Sequence, residues 1–433
     1  MPEREPYCTV MGILDDGWAG LSDAARHRLG TAGVVIGAGR TLALVRPHLR
    51  AVTAIHDMGG ALGKVPCWIG AAAAQGQTAV VLATGDPLCH GIAALLVSKL
   101  GADSVEVLPA PSTLQLAFAR LKRPWQDYRI VSCHGADAGE WNAWGPGVTP
   151  AHGLYPIVRA LAEHPRVAVF TSPENGPDRI ARALLAAGYG EEVRLSVAAR
   201  LAQADEALFP DLTLAAAAQS FPDPNVVLIE RSGTEHRAIF GFDDGEYIQR
   251  QPEKGLITKL EVRAVSLAKL GLRPDSIVWD IGAGSGSVGL EASRLARHGH
   301  VWAIEKNAGD AANARDNARR LKASNYTLAE GRAPAGLEAW PDPDAAFIGG
   351  SGGELAQLIK LILKRLKLDG RLVMNFVALE NLTAATATLT AANAIWEVVQ
   401  LQASRSQPIL DMHRLAAQNP VWIVTARKNP ENV

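Results

Sequence analysis

The sequence has little of what builds metal clusters, disulfide frameworks or membrane spans. It contains four cysteines, and no two of them form a C-x-x-C pair, so we expect neither a zinc cluster nor a disulfide framework. It has no run of about 18 apolar residues, and its charged N-terminus lacks the apolar stretch of a signal peptide. It also lacks a charge excess, because 43 Lys and Arg oppose 44 Asp and Glu. These absences predict a cytoplasmic protein with no metal, no nucleic-acid partner and no membrane partner.

The chain is long and apolar enough for more than one buried core. Its 433 residues are 48% hydrophobic and 20% charged, which excludes a disordered chain. Domains of about 150 residues would divide it into two or three. In the first half, short apolar segments alternate with helical patterns, which predicts α/β layers with largely parallel sheets. The predicted strands of this half are Cys8–Met11, Val34–Ile36, Ala79–Leu82, Val105–Leu108, Arg129–Val131, Val167–Phe170, Val193–Val197 and Val226–Ile229.

Two stretches rich in Gly, Pro or polar residues divide the chain. Ala136–Pro150 is typical of a long connection and predicts two lobes within the first half. Arg231–Gly245 has little apolar periodicity and predicts a boundary between a first domain, 1–235, and a second, 240–433. Strands and helices alternate again in the second domain, which predicts a doubly wound sheet. Its predicted strands are Ile277–Trp279, Val301–Ile304, Ala345–Ile348 and Arg371–Met374.

A glycine-rich loop follows the first strand of the second domain. It runs from Asp280 to Gly289 and opens a helix, and its glycines allow positive φ and the close approach of a ligand. Glu305 ends the next strand, where a carboxylate can accept both hydroxyls of a ribose. An adenosine-containing cofactor is therefore predicted. Its expected binding residues are Asp280, Gly282, Ala283, Gly284, Ser285, Gly286 and Glu305.

Two cofactors compete for this loop. Gly284-x-Gly286-x-x-Gly289 matches the dinucleotide fingerprint, so an NAD-linked oxidoreductase is one alternative. Asp280 stands beside the loop, however, and a carboxylate there would repel a pyrophosphate and favour a cation. S-adenosylmethionine carries an ammonium, a sulfonium and no phosphate, so the pattern favours a methyltransferase that uses S-adenosylmethionine. A purely structural glycine turn is the third interpretation.

Further loops of small residues follow other predicted strands. In the first half these loops carry Gly85-Asp86-Pro87, Leu108–Thr113 and Ser132–Gly135, and the carboxyl ends of parallel strands would bring them to one crevice. His90 and His134 are candidate catalytic residues there, although a lone loop histidine is more often solvated. In the second half, Gly349–Gly353 leaves room for a bulky substrate or is a flexible turn. The expected substrate-binding residues of this loop are Gly349, Gly350 and Ser351.

These motifs resemble those of two known families. The tetrapyrrole (corrin and porphyrin) methylases are matched by Gly85-Asp86-Pro87, Ala110-Pro111-Ser112 and Ser132-x-His134-Gly135. The decarboxylating precorrin methyltransferases are matched by Gly255–Lys259, Asp280–Gly286, Gly349–Gly353 and Asn419-Pro420-Val421. Their order on one chain resembles the bifunctional precorrin methyltransferases of adenosylcobalamin biosynthesis. The resemblance implies an α/β architecture in which a two-lobed tetrapyrrole-methylase fold precedes a class I, Rossmann-like methyltransferase domain.

The resemblance also implies a reaction and its cofactor sites. S-adenosylmethionine would methylate a precorrin at ring carbons 5 and 15, and the ring C acetate on carbon 12 would leave as carbon dioxide. We expect a homo-oligomer, and the resemblance identifies no catalytic acid or base. The cofactor residues that it implies in the first half are Gly85, Asp86, Pro87, Ser112, Thr113 and His134. Those that it adds in the second half are Thr258 and Ala333.

The sequence departs from the family pattern in two places. Gly12–Gly17 replaces the usual Gly-x-Gly-x-Gly turn, which leaves open a first half that only binds tetrapyrrole and passes it on. Gly331-Arg332-Ala333 replaces the usual Gly-Asp-Ala, and a backbone contact to adenine tolerates that change because it needs no side chain.

A substrate with many carboxylates implies cationic side chains in its pocket. The candidates are Arg250, Lys254, Lys259, Arg263, Arg332, Arg405 and Arg414. Lys259 and Arg405 are preferred, because Lys259 adjoins Thr258 and Arg405 lies in a polar segment before the last strand. For each candidate the alternative is a solvated surface charge.

Overall fold

Strands and helices alternate along the chain in the order that the apolar segments predict. The computed structural model describes residues 6–133, 137–145, 148–233, 238–250 and 257–430. The strands are β1 (Cys8–Ile13), β2 (Val34–Gly37), β3 (Ala54–Asp57), β4 (Ala79–Thr84), β5 (Val105–Leu108), β6 (Arg129–Ser132), β7 (Arg166–Phe170), β8 (Val193–Ala199), β9 (Ala207–Thr213), β10 (Asn225–Arg231), β11 (Ile277–Ile281), β12 (His300–Glu305), β13 (Tyr326–Glu330), β14 (Ala345–Ile348), β15 (Arg371–Phe376), β16 (Ile395–Leu401), β17 (Ser404–Ile409), β18 (Met412–Ala417) and β19 (Val421–Arg427).

The helices lie mostly between these strands. They are α1 (Asp23–Thr31), α2 (Gly39–Val45), α3 (Val65–Ala74), α4 (Ala93–Leu100), α5 (Thr113–Leu121), α6 (Tyr155–Glu163), α7 (Pro177–Ala186), α8 (Leu214–Ala217), α9 (Leu260–Leu270), α10 (Ser287–Leu295), α11 (Ala308–Arg320), α12 (Leu355–Arg365) and α13 (Leu379–Ala391). Short 3₁₀ turns are Gly17–Gly20, Arg46–His48, Leu62–Lys64, Ala102–Ser104 and Asp244–Glu246.

The described residues form two units. Unit 1 draws on Met1–Ala136, His164–Ala181 and Val193–Arg231, and unit 2 draws on Asp137–Glu163, Arg182–Glu192 and Ser232–Val433. The predicted domain ranges, 1–235 and 240–433, stay a prediction, because a grouping in space does not test where independent domains begin and end along the chain.

Unit 1 contains two five-stranded sheets. The first has the order β3-β2-β4-β1-β5 and is parallel throughout, with β1 and β2 buried along their whole length. Such burial is expected of a parallel sheet covered on both faces. The second has the order β6-β7-β10-β8-β9, and only its β6–β7 pair is parallel. The prediction of largely parallel sheets is therefore correct for the first sheet and wrong for the second, where strand spacing alone did not reveal pairing direction.

Unit 2 is built around a seven-stranded sheet in the order β13-β12-β11-β14-β15-β19-β16. The pairs from β13 to β15 are parallel and the pairs that involve β19 are antiparallel. Apolar residues cover both faces: Val278 of β11 belongs to one core cluster, and Trp279 and Ile281 belong to the other. The strand ends at Ile281, Glu305 and Ile348 consequently lie side by side at one edge.

A segment that precedes β7 in sequence completes unit 2. Trp144 is 3% exposed and belongs to the core of this unit, and its indole Nε1 donates to the carbonyl of Ala323 at 2.9 Å. The backbone of Leu328 in β13 donates to the Trp144 carbonyl at 3.3 Å, and Thr327 Oγ1 donates to the Val148 carbonyl at 2.7 Å. The stretch expected to be a long connection therefore includes residues that pack along the edge strand of the unit 2 sheet.

Candidate functional site

The glycine loop of unit 2 turns sharply between β11 and α10. Gly282, Gly284 and Gly286 have φ of +72°, +58° and +78°, a left-handed region that favours glycine. A Cβ on Gly282 would also lie 2.7 Å from the Gly350 amide nitrogen and overlap the neighbouring backbone. The loop after β11 and the loop after β14 therefore touch backbone to backbone, as the spacing of their glycines allows.

The amide groups of this loop are largely engaged within the protein. Gly282 and Ala283 both donate to the Ile304 carbonyl, at 2.9 and 3.1 Å, and Gly286 donates to the Ala283 carbonyl at 2.8 Å. Gly284 donates to Glu305 Oε2 at 2.9 Å. These bonds hold the loop against the end of β12 and leave few of its N–H groups to bind a phosphate.

Asp280 lies beneath the loop rather than along the cavity. It is 1% exposed, and its Oδ2 accepts from the Gly289 amide at 3.0 Å. Its Oδ1 and the hydroxyl of nearby Tyr326 have no hydrogen-bond partner among the described residues. Burial raises the pKa of Asp280 to about 7. The expectation that this carboxylate meets a cationic cofactor group directly is not what the geometry favours; Asp280 positions the loop and the first turn of α10.

A cavity of about 260 Å³ opens beside the loop at the carboxyl ends of β11, β12 and β14. The predicted residues that line it are Gly282, Gly284, Ser285, Glu305, Ala333, Gly349, Gly350 and Ser351, together with the candidate cations Arg250 and Arg332. Ser285 Oγ is buried on this wall without a partner among the described residues, so it is available to a ligand. Glu305 is 7% exposed, and its Oε1 accepts from the Asn307 amide at 2.9 Å, which fixes the carboxylate at the cavity wall.

Several lining residues were not predicted from the sequence. They are Gln249, Ile257, Ile281, Ile304, Lys306, Asn307, Asp310, Gly331 and Gly352. Lys306 and Asn307 directly follow Glu305, so their position after a ligand-binding strand end was a signal that could have found them. Ile257 lies within the motif Gly255–Lys259, which was a signal for it, whereas Gln249 belongs to none of the motifs named from the sequence.

Other predicted residues do not line this cavity. Four of them are close in sequence to lining residues but are not among the described residues of the cavity wall: Ala283, Gly286, Thr258 and Lys259. The carbonyl of Thr258 instead accepts from the Arg263 guanidinium at 2.6 Å, and Lys259 is the exposed N-cap residue of α9. Lys254 lies outside the described residues, so its predicted role stays a prediction.

Arg405 and Arg263 already have carboxylate partners. Arg405 forms a bidentate pair with Glu261, at 2.8 and 2.6 Å, and also reaches Asp244 at 2.9 Å. Hydrogen bonding to Glu261 raises the pKa of Arg405 above its usual value. Arg263 is fully buried and donates to Glu291 at 2.6 Å. Both side chains therefore join α9 to neighbouring segments, and the structure does not bring Arg405, the preferred substrate cation, to the cavity.

The fully buried Glu291 is the centre of this ion-pair network. Besides Arg263, it accepts from the Tyr247 hydroxyl at 2.9 Å and from the amides of Gly241 and Phe242. A buried charge pair is stable only when its remaining hydrogen bonds are satisfied, and here they are. The network anchors the segment before α9, which carries Arg250 to the cavity wall. Arg414, the remaining candidate, is exposed on β18 and contacts Gln407 at 3.5 Å.

Unit 1 has a larger cleft of about 600 Å³. Thr113 lines it, as predicted, and so does the candidate His90, whose ring packs edge-on against Phe170 at 5.4 Å. The atypical loop after β1 contributes Leu14 and Asp15. Asp15 pairs with Arg40 at 3.5 Å and accepts from Gln203 Nε2 at 2.8 Å. His134 lies outside the described residues, so its role stays a prediction.

The remaining described cofactor candidates of unit 1, Gly85, Asp86, Pro87 and Ser112, do not line the cleft. A Cβ on Gly12 would overlap the Gly85 carbonyl oxygen and the Ala110 amide nitrogen, so three loops meet at this glycine. Asp86 accepts from the Leu88 amide at 2.8 Å and closes the turn that contains Pro87. Ser112 caps α5, with its side chain accepting from the Gln115 amide. These residues set the positions of the loops, and their predicted cofactor contacts are not tested.

The described part of the chain contains no disulfide, no metal-binding cluster and no membrane-spanning helix. All four cysteines are free, and burial raises the pKa of Cys8 to about 12 and that of Cys133 to about 11. Among the described residues, no group of three or more His, Cys, Asp and Glu is placed to hold a metal ion. No helix there is long and apolar enough to cross a membrane. A cytoplasmic location and a homo-oligomeric state stay predictions.

Comparison with known proteins adds independent information. Two family profiles match the chain: tetrapyrrole (corrin/porphyrin) methylases over residues 8–218, and the precorrin methyltransferase domain over residues 251–428. Both resemblances noted from the motifs are therefore confirmed, in the same order along the chain.

Similar individual proteins carry related names. A Sinorhizobium protein named precorrin-6Y C(5,15)-methyltransferase [decarboxylating] is 34% identical over 372 residues, 86% of this chain and 85% of that protein. A Salmonella typhimurium protein named cobalt-precorrin-6B C(15)-methyltransferase (decarboxylating) is 38% identical over 41% of this chain and 92% of its own length. A crystal structure of precorrin-6y C5,15-methyltransferase from Geobacter metallireducens is 41% identical, covers 45% of this chain and all of that chain, and has a TM-score of 0.43.

Proposed function

This chain belongs to the family of precorrin-6Y C(5,15)-methyltransferases (decarboxylating), and from that premise we propose that it methylates a precorrin at ring carbons 5 and 15. S-adenosylmethionine is the proposed methyl donor, and the ring C acetate of a precorrin-6B-type substrate leaves as carbon dioxide. The observation that carries the proposal is the 34% identity over 86% of the chain, which extends across both family matches.

The unit 2 cavity fits the proposed cofactor better than it fits a dinucleotide. Gly282, Ala283 and Gly284 donate their N–H groups within the protein, and Gly289 at the start of α10 donates to Asp280. Pyrophosphates are bound by free N–H groups of such loops and helix N-termini, so each of these internal bonds leaves one donor fewer for a dinucleotide. The unpartnered Ser285 Oγ and the fixed carboxylate of Glu305 instead suit a ligand with polar groups and a ribose.

In the proposed mechanism the protein binds the cofactor and the substrate and aligns their reacting atoms. When bound, S-adenosylmethionine supplies an electrophilic methyl group on sulfur. Glu305 would accept the ribose hydroxyls and Ser285 Oγ would bind a polar group of the cofactor, while Gly282 and Gly284, which carry no side chain, leave room for it at the strand ends. The loop that contains Gly350 forms one wall of the cavity and would help to orient the substrate there. Alignment of this kind contributes on the order of 7–11 kcal/mol to catalysis.

Carbon dioxide loss needs an electron sink and a proton. The bond between the acetate carboxylate and its methylene carbon breaks, and its electron pair enters the conjugated imine system of the macrocycle. The methylene carbon then takes up a proton and becomes a methyl group. The substrate itself supplies the sink, so the role proposed for the protein is to hold the macrocycle in place.

We further propose a division of labour between the two clefts. Residues from about 240 onward would methylate carbon 15 and release carbon dioxide, and unit 1 would methylate carbon 5. Support comes from the precorrin methyltransferase match over 251–428 and from the relative whose name joins C(15) methylation to decarboxylation. The cofactor assignment to unit 1 rests on the tetrapyrrole methylase match over 8–218.

The test uses the full chain, because Trp144 and its neighbours pack within unit 2 and a cut near 235 would separate them from it. A precorrin-6B-type substrate should gain two methyl groups and lose one carbon dioxide, as read by product mass. Calorimetry with S-adenosylhomocysteine should give two sites per chain. A stoichiometry near one would remove the cofactor assignment from one unit, and a product of unchanged mass would refute the proposal.

A further inference from the structure

The mouth of the unit 2 cavity carries three cationic side chains that differ in their partners. Arg250 is paired with Asp310, with its Nε 2.6 Å from the carboxylate. Arg332 donates to the Gly352 carbonyl at 2.8 Å and to Glu354 at 3.0 Å. Lys306 is exposed, and no carboxylate of the described residues lies within salt-bridge distance of it. Lys306 is therefore the lining cation whose charge the described protein leaves uncompensated.

Lys306 and Arg332 converge on one point of the loop after β14. A Cβ on Gly352 would lie 3.6 Å from Lys306 Nζ and 3.8 Å from Arg332 Nε. The two cationic groups are consequently no more than about 7.4 Å apart, the sum of those distances. Gly352 has φ of +60° and Gly353 has φ of +99°, so the backbone favours glycine at both positions. The glycine run thus leaves open the space into which both cations point.

The size of the cavity determines what can meet these cations. Its volume is about 260 Å³, at or below the lower end of the roughly 300–1,000 Å³ of pockets for drug-sized ligands, so a tetrapyrrole, which is larger than the proposed cofactor, would extend beyond it. A macrocycle that presents one ring carbon to the cavity must lie across its mouth. Its peripheral acetate and propionate groups then lie at the level of Lys306 and Arg332.

We infer that Lys306, with Arg332 beside it, binds one peripheral carboxylate of the tetrapyrrole substrate in unit 2. This inference rests on the proposed function and makes its substrate site specific. The bound carboxylate is one that the reaction retains, because a cation held on the departing acetate would stabilise its charge and oppose the loss of neutral carbon dioxide. Lys306 is a substrate-binding residue and takes no part in proton transfer.

The experiment compares the full-length chain with Lys306→Met, Lys306→Arg and a control, Lys360→Met. Lys360 is an exposed lysine of α12 that does not line the cavity. Lys306→Met should raise the KM for carbon dioxide release about 10-fold or more, the loss typical of one charged hydrogen bond. The kcat should change little, Lys306→Arg should restore most of the KM, and Lys360→Met should match the wild-type chain.

Two binding measurements accompany the kinetics. Affinity for uroporphyrin, an octacarboxylate probe, should fall in Lys306→Met by a similar factor at one of its binding sites, as followed by tryptophan fluorescence. Affinity for S-adenosylhomocysteine should stay within about 2-fold of wild type. An equal loss of S-adenosylhomocysteine affinity would overturn the inference, since Lys306 would then contact the cofactor. An unchanged KM, or a fall in kcat confined to carbon dioxide release, would overturn it as well.

The outcome for wild type separates this inference from the proposed function. A wild-type chain that binds uroporphyrin in a Lys306-dependent way but converts no precorrin would refute the function and support the carboxylate site. A wild-type chain that converts the precorrin, with a Lys306→Met variant that behaves identically, would support the function and refute the carboxylate site.

Discussion

The two clefts of this protein share a close contact between a glycine and the backbone of a neighbouring loop, but different side chains line them. In unit 1, Gly12 at the end of β1 touches the backbone at Gly85 and Ala110, and in unit 2, Gly282 after β11 touches the backbone of Gly350. In both, an interior strand with a parallel neighbour on each side ends where the loops of neighbouring strands meet. A crevice at the carboxyl ends of such strands is the general location of ligand sites in open α/β sheets. Backbone topology therefore sets where each cleft forms.

Side chains set what each cleft can bind. The unit 1 cleft, at about 600 Å³, is lined by many apolar residues, and its acidic residue Asp15 is already paired with Arg40. The unit 2 cavity, at about 260 Å³, has the fixed carboxylate of Glu305 on one wall and the cation Lys306 beside it. The two clefts therefore differ in volume and in charge: Asp15 in unit 1 has a cationic partner, whereas Lys306 in unit 2 has no carboxylate partner among the described residues.

The largest expected effect comes from adding a Cβ atom at Gly12 or Gly282, where it would overlap the backbone of a neighbouring loop. Gly282→Ala should force the loops after β11 and β14 apart and lower carbon 15 methylation and carbon dioxide release on the order of 100-fold, the cost of a misplaced reacting group. The left-handed φ of Gly282 adds about 1–2 kcal/mol of strain. Carbon 5 methylation should persist, so a product with one new methyl and its acetate retained should accumulate, as read by mass.

Gly12→Ala is the matched change in unit 1 and should produce the opposite result, with carbon 5 methylation lost and carbon dioxide release retained. Gly30→Ala and Gly245→Ala are the controls, because a Cβ at either position meets no atom within 4 Å. If Gly12→Ala and Gly282→Ala impair both methylations equally, the two clefts do not work as separate sites.

A smaller effect is expected from Asp280, a buried carboxyl group with no buried carboxyl counterpart among the described residues of unit 1. Burial raises its pKa from 3.8 to about 7, so the folded protein keeps the proton over a pH range in which the unfolded chain has released it. The stability of unit 2 should therefore fall as pH rises from about 4 to about 7, by roughly 4 kcal/mol, and then level off.

Asp280→Asn should remove this pH dependence, because the amide is neutral at every pH and its oxygen still accepts from Gly289. Denaturant unfolding at several pH values between 4 and 8, for wild type and variant, measures it. A wild-type stability that rises over that range relative to Asp280→Asn would contradict the assignment of a raised pKa to this group.

The smallest effect should come from the hydroxyl of Tyr155, which lies 3.0 Å from Nδ1 of the buried His300. The other ring nitrogen of His300 contacts Thr327 at 2.8 Å, and burial lowers the pKa of His300 to about 3. Tyr155→Phe leaves a buried nitrogen without its partner and should cost about 1–3 kcal/mol. Hydrogen exchange of the β12 and β13 amides should speed up accordingly.

Tyr7→Phe in unit 1 is the matched control and should leave the exchange of β12 and β13 unchanged. S-adenosylhomocysteine binding to unit 1 should be the same in both variants. Unaltered exchange in Tyr155→Phe would show that the segment containing Trp144 and Tyr155 contributes little to the stability of the unit 2 sheet edge.

Much of the fold was predictable because buried strands leave an apolar signal. Each strand predicted from an apolar run, such as Val278 with its neighbours in β11, is present in the structure. The strands that were not delimited from the sequence are β3, β9, β13, β16, β17, β18 and β19. The residues of β16, β17 and β18 are mostly exposed, whereas the buried part of β13, Tyr326–Leu328, contains a threonine that interrupts its apolar run. An exposed strand carries no apolar run, so its sequence resembles that of a loop.

The candidate site divides in the same way. The loop from Gly282 to Gly286 and the carboxylate of Glu305 were predictable, because glycine and acid positions follow directly from a strand end. The role of Arg405 was not, since its partner Glu261 is 144 residues away in sequence. Lys306 was overlooked although it directly follows Glu305, because the sequence does not show that its charge, unlike that of Arg405, has no carboxylate partner among the described residues.

The sequence by itself determined the succession of most buried strands along the chain, the glycines of each strand-end loop and the family to which the chain belongs, because these depend on local residue types in fixed succession. Tertiary structure alone decided which charges are paired and that Asp280 lies beneath its loop. It also decided that Trp144 packs against the seven-stranded sheet of unit 2 and is not part of a loose connection. The physical reason is that burial and ion pairing depend on distances in space between residues far apart along the chain, and local pattern does not encode those distances.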